Sequence, residues 1–404
     1  MSDGPLWEVV GGGDKGGIIV RAGKETSSAQ EKERLSTGAQ VRQLALEGER
    51  LQYEKVTGTG PATGWVSIKL KDKELLVPKE DATADAGEAS ATESRYRLRL
   101  AVNIDQWTPA GDADGEEFQF LLQLIPEEAE RKAVMKYKFY DDKKRALMSR
   151  LLMRQSSAMA LGRTSFKGIE VSRTKGRKPF LQTPLPPVAE APNFNVNVSH
   201  EGAWVVCASE PLCVCGVDVA ELRRLKPNGE PIDFYKGFAD QLSETEWADV
   251  RKGGPSLDDQ YEVFSRYWAA KEAFTKARGD GLGFPLGDAE FKWTPLPGAP
   301  AGKAYAGTVA VKGKILPAWR LVQHKMPCEK PHWVTVARGP TTDVVDAKGE
   351  FTKCLRKPHG RFSPAQWTAA LNSDSPEFEV IPVGALVPAE EMEGFVKAGG
   401  TSWP

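Results

Sequence analysis

A long helix carrying a carboxylate and an ammonium on one face constrains this chain more than any other feature. In Phe264-Ser265-Arg266-Tyr267-Trp268-Ala269-Ala270-Lys271-Glu272-Ala273-Phe274-Thr275-Lys276 the residues Trp268, Glu272 and Lys276 recur at i, i+4 and i+8. On a helix they line one side. The pattern predicts a helix from about Leu257 to Arg278, with Gly279 placed to stop it as the C′ residue. Upstream, Gly216-Val217-Asp218-Val219 is a short apolar run that reads as a buried strand. A carboxylate in such a run is costly unless a cation or donor meets it. A strand Asp, a helix Glu and a Lys one turn further on suit Mg²⁺ and phosphate held between them, so phosphate chemistry is the first hypothesis.

Composition narrows the field. With 404 residues the chain has room for two or three domains and a sizeable core. No apolar run approaches the length of a membrane span. The start, Met1-Ser2-Asp3-Gly4-Pro5, carries no targeting pattern, so a cytoplasmic location is expected. The five cysteines are odd in number and irregularly spaced, and Cys213-Val214-Cys215 lacks zinc-finger spacing. Reduced core thiols are the expectation. A net charge of −1 argues against general nucleic-acid binding. Charge is nevertheless uneven: from Arg131 to Lys178 there are fifteen Lys or Arg against three acids, Asp141, Asp142 and Glu170. A solvated helix face accounts for part of that block, and a multiply phosphorylated small ligand accounts for it better.

Along the chain, residues 1–80 read as a small all-β module, with Trp7–Val10, Gly17–Arg21, Leu51–Glu54 and Gly64–Ile68 as strands between glycine-rich turns. Gly64-Trp65-Val66-Ser67 resembles the G-W-V segment of an SH3-like barrel. Its role stays open between a docking module for a protein partner and a catalytically silent appendage. Residues 81–95 read as a flexible linker. Tyr96–Val102 alternates as a strand, and the stretch from Pro126 to about Met159 reads as helical, with Leu147, Leu151 and Leu152 as its apolar stripe. Asn193-Phe194-Asn195-Val196-Asn197-Val198-Ser199-His200 has period two, which predicts a strand with one buried and one polar face. Ala203–Ala208 returns as its partner after the Glu201-Gly202 turn. Ser243-Glu244-Thr245-Glu246 reads as a capped helix start. Segments near Trp319–Gln323 and Trp333–Ala337 belong to a second sheet, and one helix is expected near 363–372.

Each feature alone is ordinary; their ordered conjunction is not. Pro192–His200, Gly216-Val217-Asp218-Val219, Trp268-Ala269-Ala270-Lys271-Glu272 and Gly281-Leu282-Gly283-Phe284 together resemble the large, pseudo-dimeric class of 4′-phosphopantetheinyl transferases, and its animal-type branch in particular. The resemblance covers roughly residues 96–340. It implies transfer of phosphopantetheine from coenzyme A to a serine hydroxyl of apo acyl-carrier, peptidyl-carrier or polyketide-synthase carrier domains, releasing adenosine 3′,5′-bisphosphate. By the same resemblance Asp218 and Glu272 match Mg²⁺ ligands, Glu272 also matches the base for the carrier serine, and Lys276 matches a pyrophosphate contact able to protonate the leaving oxygen. Arg173, Thr174, Lys175, Gly176, Arg177 and Lys178 resemble the coenzyme A loop. Asn197, Val198, Ser199 and His200 match the second nucleotide-contacting segment, and His200 is also expected among the catalytic residues, as a neutral donor or a cation to a phosphate oxygen. Arg131 matches a further coenzyme A arginine, with Lys138 as competitor. Many members carry a second acid two residues after the strand Asp; here that position is Ala220, with Glu221 on a different face. Glu201 or a water is the expected third metal ligand, while Trp268 and Lys271 read as structural, the Trp packed and the Lys solvated or ion-paired.

The fold expected is α+β: two similar halves, 96–205 and 206–340, each a small antiparallel sheet with a long helix, preceded by the β module and followed by an extension, 341–404. The resemblance implies a monomer with no nucleic-acid or membrane partner. Two rivals are an inactive transferase-like scaffold recruiting partners through its β module, and another Mg²⁺-dependent phosphate enzyme. The intact Asp218, Glu272 and Lys276 set disfavours the first. Gly11-Gly12-Gly13-Asp14-Lys15-Gly16 lacks P-loop spacing, which disfavours the second.

Overall fold

Glycine turns cut the start of the chain into short strands, and the computed structural model describes residues 6–12, 15–70, 73–79, 95–221, 233–328, 330–357, 364–373 and 375–403. The chain divides into two units, 1–91 and 92–404. The first holds β1 (Leu6–Val9), β2 (Ile18–Arg21), β3 (Gln30–Leu35), β4 (Gln40–Glu47), β5 (Arg50–Thr57), β6 (Thr63–Ser67), β7 (Lys69–Leu70), β8 (Lys73–Glu74) and β9 (Leu76–Lys79). Seven of them form one antiparallel sheet in the order β3-β2-β6-β5-β4-β1-β9 around Val20, Leu35, Val41, Leu51, Tyr53 and Val66. The all-β expectation therefore agrees with the structure, although β3 and β4 were not anticipated. β3 is almost wholly polar and fully buries only Leu35, so it offers no alternation to read. Gly64–Ser67 lies in β6. The expected linker lies outside the described residues except for Arg95.

In the second unit the strands are β10 (Arg99–Asn103), β11 (Glu170–Arg173), β12 (Pro179–Thr183), β13 (Asn195–Glu201), β14 (Trp204–Glu210), β15 (Val214–Glu221), β16 (Ala289–Pro295), β17 (Ala304–Val311), β18 (Lys314–Ile315), β19 (Arg320–Lys325), β20 (His332–Gly339) and β21 (Glu379–Val380). One sheet runs β13-β14-β10-β21, with β21 parallel to β10. It shares a core with the Tyr140–Ala160 helix, through Leu147, Leu151 and Leu152 against Leu100, Val196 and Val205. The other runs β15-β20-β19-β17-β16 and shares a core with the Leu257–Arg278 helix, through Phe264 and Phe274 against Phe291, Trp319 and Leu321. Each half thus pairs one sheet with one long helix.

Three expectations change. The 205/206 boundary cuts β14, which continues to Glu210, and the tail returns through β21 to complete the first sheet. The helical stretch from 126 to 159 is two helices, Glu128–Met135 and Tyr140–Ala160, broken where Phe139 is extended (φ −93°, ψ 143°). No glycine or proline marks that break, so sequence alone runs through it. Finally, the polar side of β13 is not solvated: Asn193, Asn195, Asn197 and Ser199 are all buried.

Asn195, Asn197 and Ser199 form the seam between the sheets, while Asn193, just before β13, is paired with the Leu212 carbonyl and the Lys357 backbone. β13 and β15 are edge strands, and an unsatisfied buried polar group would cost about 1–3 kcal/mol. Asn195 Oδ1 accepts the Cys215 N–H at 2.9 Å and Asn197 Oδ1 accepts the Val217 N–H at 2.8 Å. Asn195 Nδ2 also donates to the Cys213 carbonyl at 2.8 Å. Period-two amides thereby stand in for a backbone ladder. A second buried tie is Glu210, which meets Arg97, Arg99 and Arg338. Burial pushes its carboxyl up, but Arg99, Arg338 and Arg97 outweigh that and hold it below the usual range.

The Leu257–Arg278 helix begins at a Ser256–Asp259 capping box and stops at Gly279 (φ 89°), as its sequence predicts. It lies against β15 at Gly216, where an added Cβ would sit 2.1 Å from the Ala273 carbonyl oxygen and 2.3 Å from the Ala277 nitrogen. Only glycine permits that approach. Lys271, one of the residues read as structural, is fully buried and ion-paired to Glu246 at 2.8 Å, with further donation to the Leu286 and Ala289 carbonyls. It is not solvated. Gly216→Ala should push helix and strand apart and lower the unfolding free energy by about 1–3 kcal/mol. Denaturant unfolding of variant and parent measures this, and equal stability would contradict the close contact.

Candidate active site

Because Gly216 admits the helix, Glu272 and Lys276 reach the strand residue Asp218. Lys276 Nζ donates to Asp218 Oδ1 at 2.6 Å and to Ser199 Oγ at 2.8 Å, while Ser199 Oγ donates to the same Asp218 oxygen at 2.8 Å. Glu272 opens onto the same cleft, which has a volume of about 780 Å³. Burial holds the Asp218 carboxyl above its usual range, with Lys276 and Ser199 partly offsetting it. Glu272 is also raised, by burial first and then by the charge on Asp218, with Lys276 opposing. The Asp218 charge raises the cost of ionising Glu272 in the shared cleft, and a cation relieves such a pair.

β13 brings Asn197, Val198, Ser199, His200 and Glu201 to the cleft wall. The His200 ring stays open to solvent at the cleft wall, but partial desolvation there, then the charges of Lys276 and Arg145, draw its imidazole down to about 4. It is therefore a neutral hydrogen-bonding group at pH 7 and not a cation. The hydrogen bond to Val217 leaves Asn197 a seam residue at least as much as a wall residue.

The end of β11 and the β11–β12 loop supply Arg173, Gly176, Arg177 and Lys178 to the cleft. Thr174 and Lys175 are not among the lining residues; the Lys175 N–H donates instead to Glu350 at 2.8 Å. Arg131 is not brought there either, because its guanidinium donates to the Ile125 and Pro126 carbonyls at 2.6 and 2.9 Å. Its competitor Lys138 is likewise absent from the lining. The residue that does arrive is Arg150. Glu130 grips Arg150 at 2.7 Å and Arg173 at 3.2 Å, so one carboxylate holds two guanidiniums side by side. From sequence, Arg150 is only one of the fifteen basic residues between Arg131 and Lys178. The signal available was its placement one turn before Arg154 in the basic block, which does not separate it from Arg145.

Beyond Glu272 the wall is aromatic. Trp268 stands 5.0 Å from Phe238 and 6.2 Å from Phe264, consistent with its reading as a packing residue. Glu201 lines the cleft, yet no set of three or more His, Cys, Asp or Glu side chains fit to hold a metal exists among the described residues. The Glu221 carboxylate is turned toward Gly202 and His332. The residues present thus fit a hard divalent cation through two carboxylates, Asp218 and Glu272, and the proposed third ligand Glu201 is not assembled with them.

Residues 105–212 match the family described as 4′-phosphopantetheinyl transferase, N-terminal, and residues 214–336 match the 4′-phosphopantetheinyl transferase superfamily. The chain is 32% identical over 245 residues to the L-aminoadipate-semialdehyde dehydrogenase-phosphopantetheinyl transferase of Mus musculus, covering 59% of this chain and 74% of that one. It is 31% identical over 244 residues to the Homo sapiens protein of the same name, with the same coverage. A 4′-phosphopantetheinyl transferase of Bacillus subtilis is 32% identical over 174 residues, 43% of this chain and 67% of that one. The first unit lies outside all the matched family ranges. This chain belongs to the 4′-phosphopantetheinyl transferase superfamily, enzymes that transfer the phosphopantetheine group from coenzyme A to carrier proteins.

Proposed function

We propose that the cleft performs this transfer with Mg²⁺ held by Asp218 and Glu272, and that its basic side holds the nucleotide of coenzyme A. The observation that carries the reading is the meeting of Lys276 with Asp218 at 2.6 Å in a cleft shared with Glu272. Arg150, Arg173 and Arg177 are suited to the nucleotide phosphates, since guanidinium forks match phosphate oxygens. Ser199 and neutral His200 offer further hydrogen bonds. When bound, Mg²⁺ would neutralise charge on the pyrophosphate. The carrier serine attacks the phosphorus that bears the pantetheine arm, forming one P–O bond as the bond to adenosine 3′,5′-bisphosphate breaks. Glu272 takes the serine proton and Lys276 stabilises the departing oxygen.

The acceptors proposed are apo acyl-carrier, peptidyl-carrier and polyketide-synthase carrier domains. The names of the mammalian relatives add the carrier domain of an L-aminoadipate-semialdehyde dehydrogenase, which would connect the chain to lysine metabolism. A monomer in the cytoplasm is part of the same reading. The five free cysteines accord with the cytoplasmic part of that reading.

Incubation with coenzyme A, Mg²⁺ and several apo-carrier domains, read by intact mass, should show the added phosphopantetheine arm. EDTA should abolish it, and Glu272→Gln should slow it by about 10²-fold or more. Addition on no carrier would reject the assignment. Because the second unit holds every cleft residue, removing residues 1–91 should leave the rate on an excised carrier domain essentially unchanged; a lost rate would give the first unit a part in catalysis. A proton NMR titration should find the His200 ring uncharged from pH 8 to about 5, protonating only toward 4. An inflection near the ordinary value of about 6.5 would contradict the lowering by the cleft wall and the flanking cations Lys276 and Arg145.

A further inference from the structure

The last four carbonyls of a helix have no partner inside it, so each must find one elsewhere or face water. In the Leu257–Arg278 helix all four are met. The Gly279 N–H donates to the Thr275 carbonyl at 2.7 Å, and the Val345 N–H donates to that of Arg278 at 2.7 Å. The two between them, Lys276 and Ala277, accept from one ammonium, Lys178 Nζ, at 2.5 and 3.0 Å. Lys178 is not a neighbour in sequence. It comes from the β11–β12 loop, on the other half of the unit, and crosses to the terminal turn of the helix.

Its surroundings fix it there. The ammonium lies 4.6 Å from the centre of the Phe351 ring, a cation–π contact. The negative end of the helix dipole favours a cation at that place. Burial draws Lys178 down to about 8; Cys215 on β15 and Asp346 on the segment after β20 act in the opposite sense. It therefore stays charged at neutral pH. Two of its three donors are committed to the helix, which sets it apart from Arg173 at the end of β11 and Arg177 in the loop.

We propose that Lys178 is a positioning residue: its ammonium clamps the final turn of the Leu257–Arg278 helix and so keeps the Lys276 side chain on Asp218 and Ser199. The inference rests on the assignment of this cleft to coenzyme A, and it differs from the expectation that Lys178 binds a phosphate of that ligand. This side chain joins the nucleotide loop to the helix bearing Glu272 and Lys276. A loss of the clamp frees the turn that carries Lys276 without removing the guanidiniums that face the nucleotide.

The full chain with Lys178→Met is compared with Lys178→Arg and the parent. Steady-state transfer to an apo-carrier domain is measured, together with calorimetric binding of adenosine 3′,5′-bisphosphate and hydrogen exchange across residues 268–284. The clamp predicts for Lys178→Met a kcat lowered by about tenfold or more, with coenzyme A KM and bisphosphate affinity within about threefold of the parent. It also predicts faster exchange at the end of the helix, and recovery of kcat and of slow exchange in Lys178→Arg. A phosphate ligand predicts the reverse, and a KM raised by about tenfold or more with kcat and exchange unchanged overturns the clamp. If Lys178→Met does not fold, Lys178→Arg decides: a folded Arg variant with parental bisphosphate affinity and a lost kcat also overturns it. Exchange reads the clamp without turnover, so an inactive parent would sink the transferase assignment while leaving this inference separately measurable.

Discussion

The approach of the Leu257–Arg278 helix to β15 at Gly216 is the constraint on which the site depends. No side chain fits between Gly216 and the helix backbone at Ala273 and Ala277. Two residues further along the strand stands Asp218, and on the helix Glu272 and Lys276 flank the contact. A glycine with no chemistry of its own thus sets the distance at which a strand carboxylate and a helix ammonium meet. Bulk at that position would move both helix residues together, which is why one packing contact governs two chemical groups.

Buried polar pairs hold the frame around it. Period-two asparagines on β13 supply the hydrogen bonds that the edge of β15 lacks, and Ser199 continues the row directly into the active cluster. Glu210 with its three arginines ties β10 and β14 to β20, and Glu246 with Lys271 ties the Ser243-capped helix to the long one. Such pairs add little net stability over apolar packing, yet removing one partner alone is expensive. They therefore fix the relation between the two sheets more than they strengthen it, and the cleft is set by that relation.

Much of this was legible. Trp268, Glu272 and Lys276 at i, i+4 and i+8, with Gly279 beyond, gave the helix and its end, because periodicity and a left-handed stop are local properties. Asp218 in an apolar run announced its need for a cation, and Lys276 meets it. What sequence could not give was which polar residues are solvated. Alternating asparagines look the same whether they face water or the edge of another strand. Arg131, Arg150 and Lys178 are all basic residues in one charge-rich block; one caps a turn, one faces the cleft and one grips a distant helix end, according to contacts far apart in sequence. The break at Phe139 and the strand β3 escaped for a related reason, since neither carries a hydrophobic or turn signal.

The account stands on a single site in which Asp218 and Glu272 share a divalent cation beside Lys276. Manganese substitutes for magnesium and can be located by its anomalous X-ray scattering in crystals grown with coenzyme A. The account predicts one manganese peak in contact with the carboxylates of both Asp218 and Glu272, with the pyrophosphate against it and Lys276 alongside. A peak elsewhere in the cleft, or on only one of these two carboxylates, would contradict it.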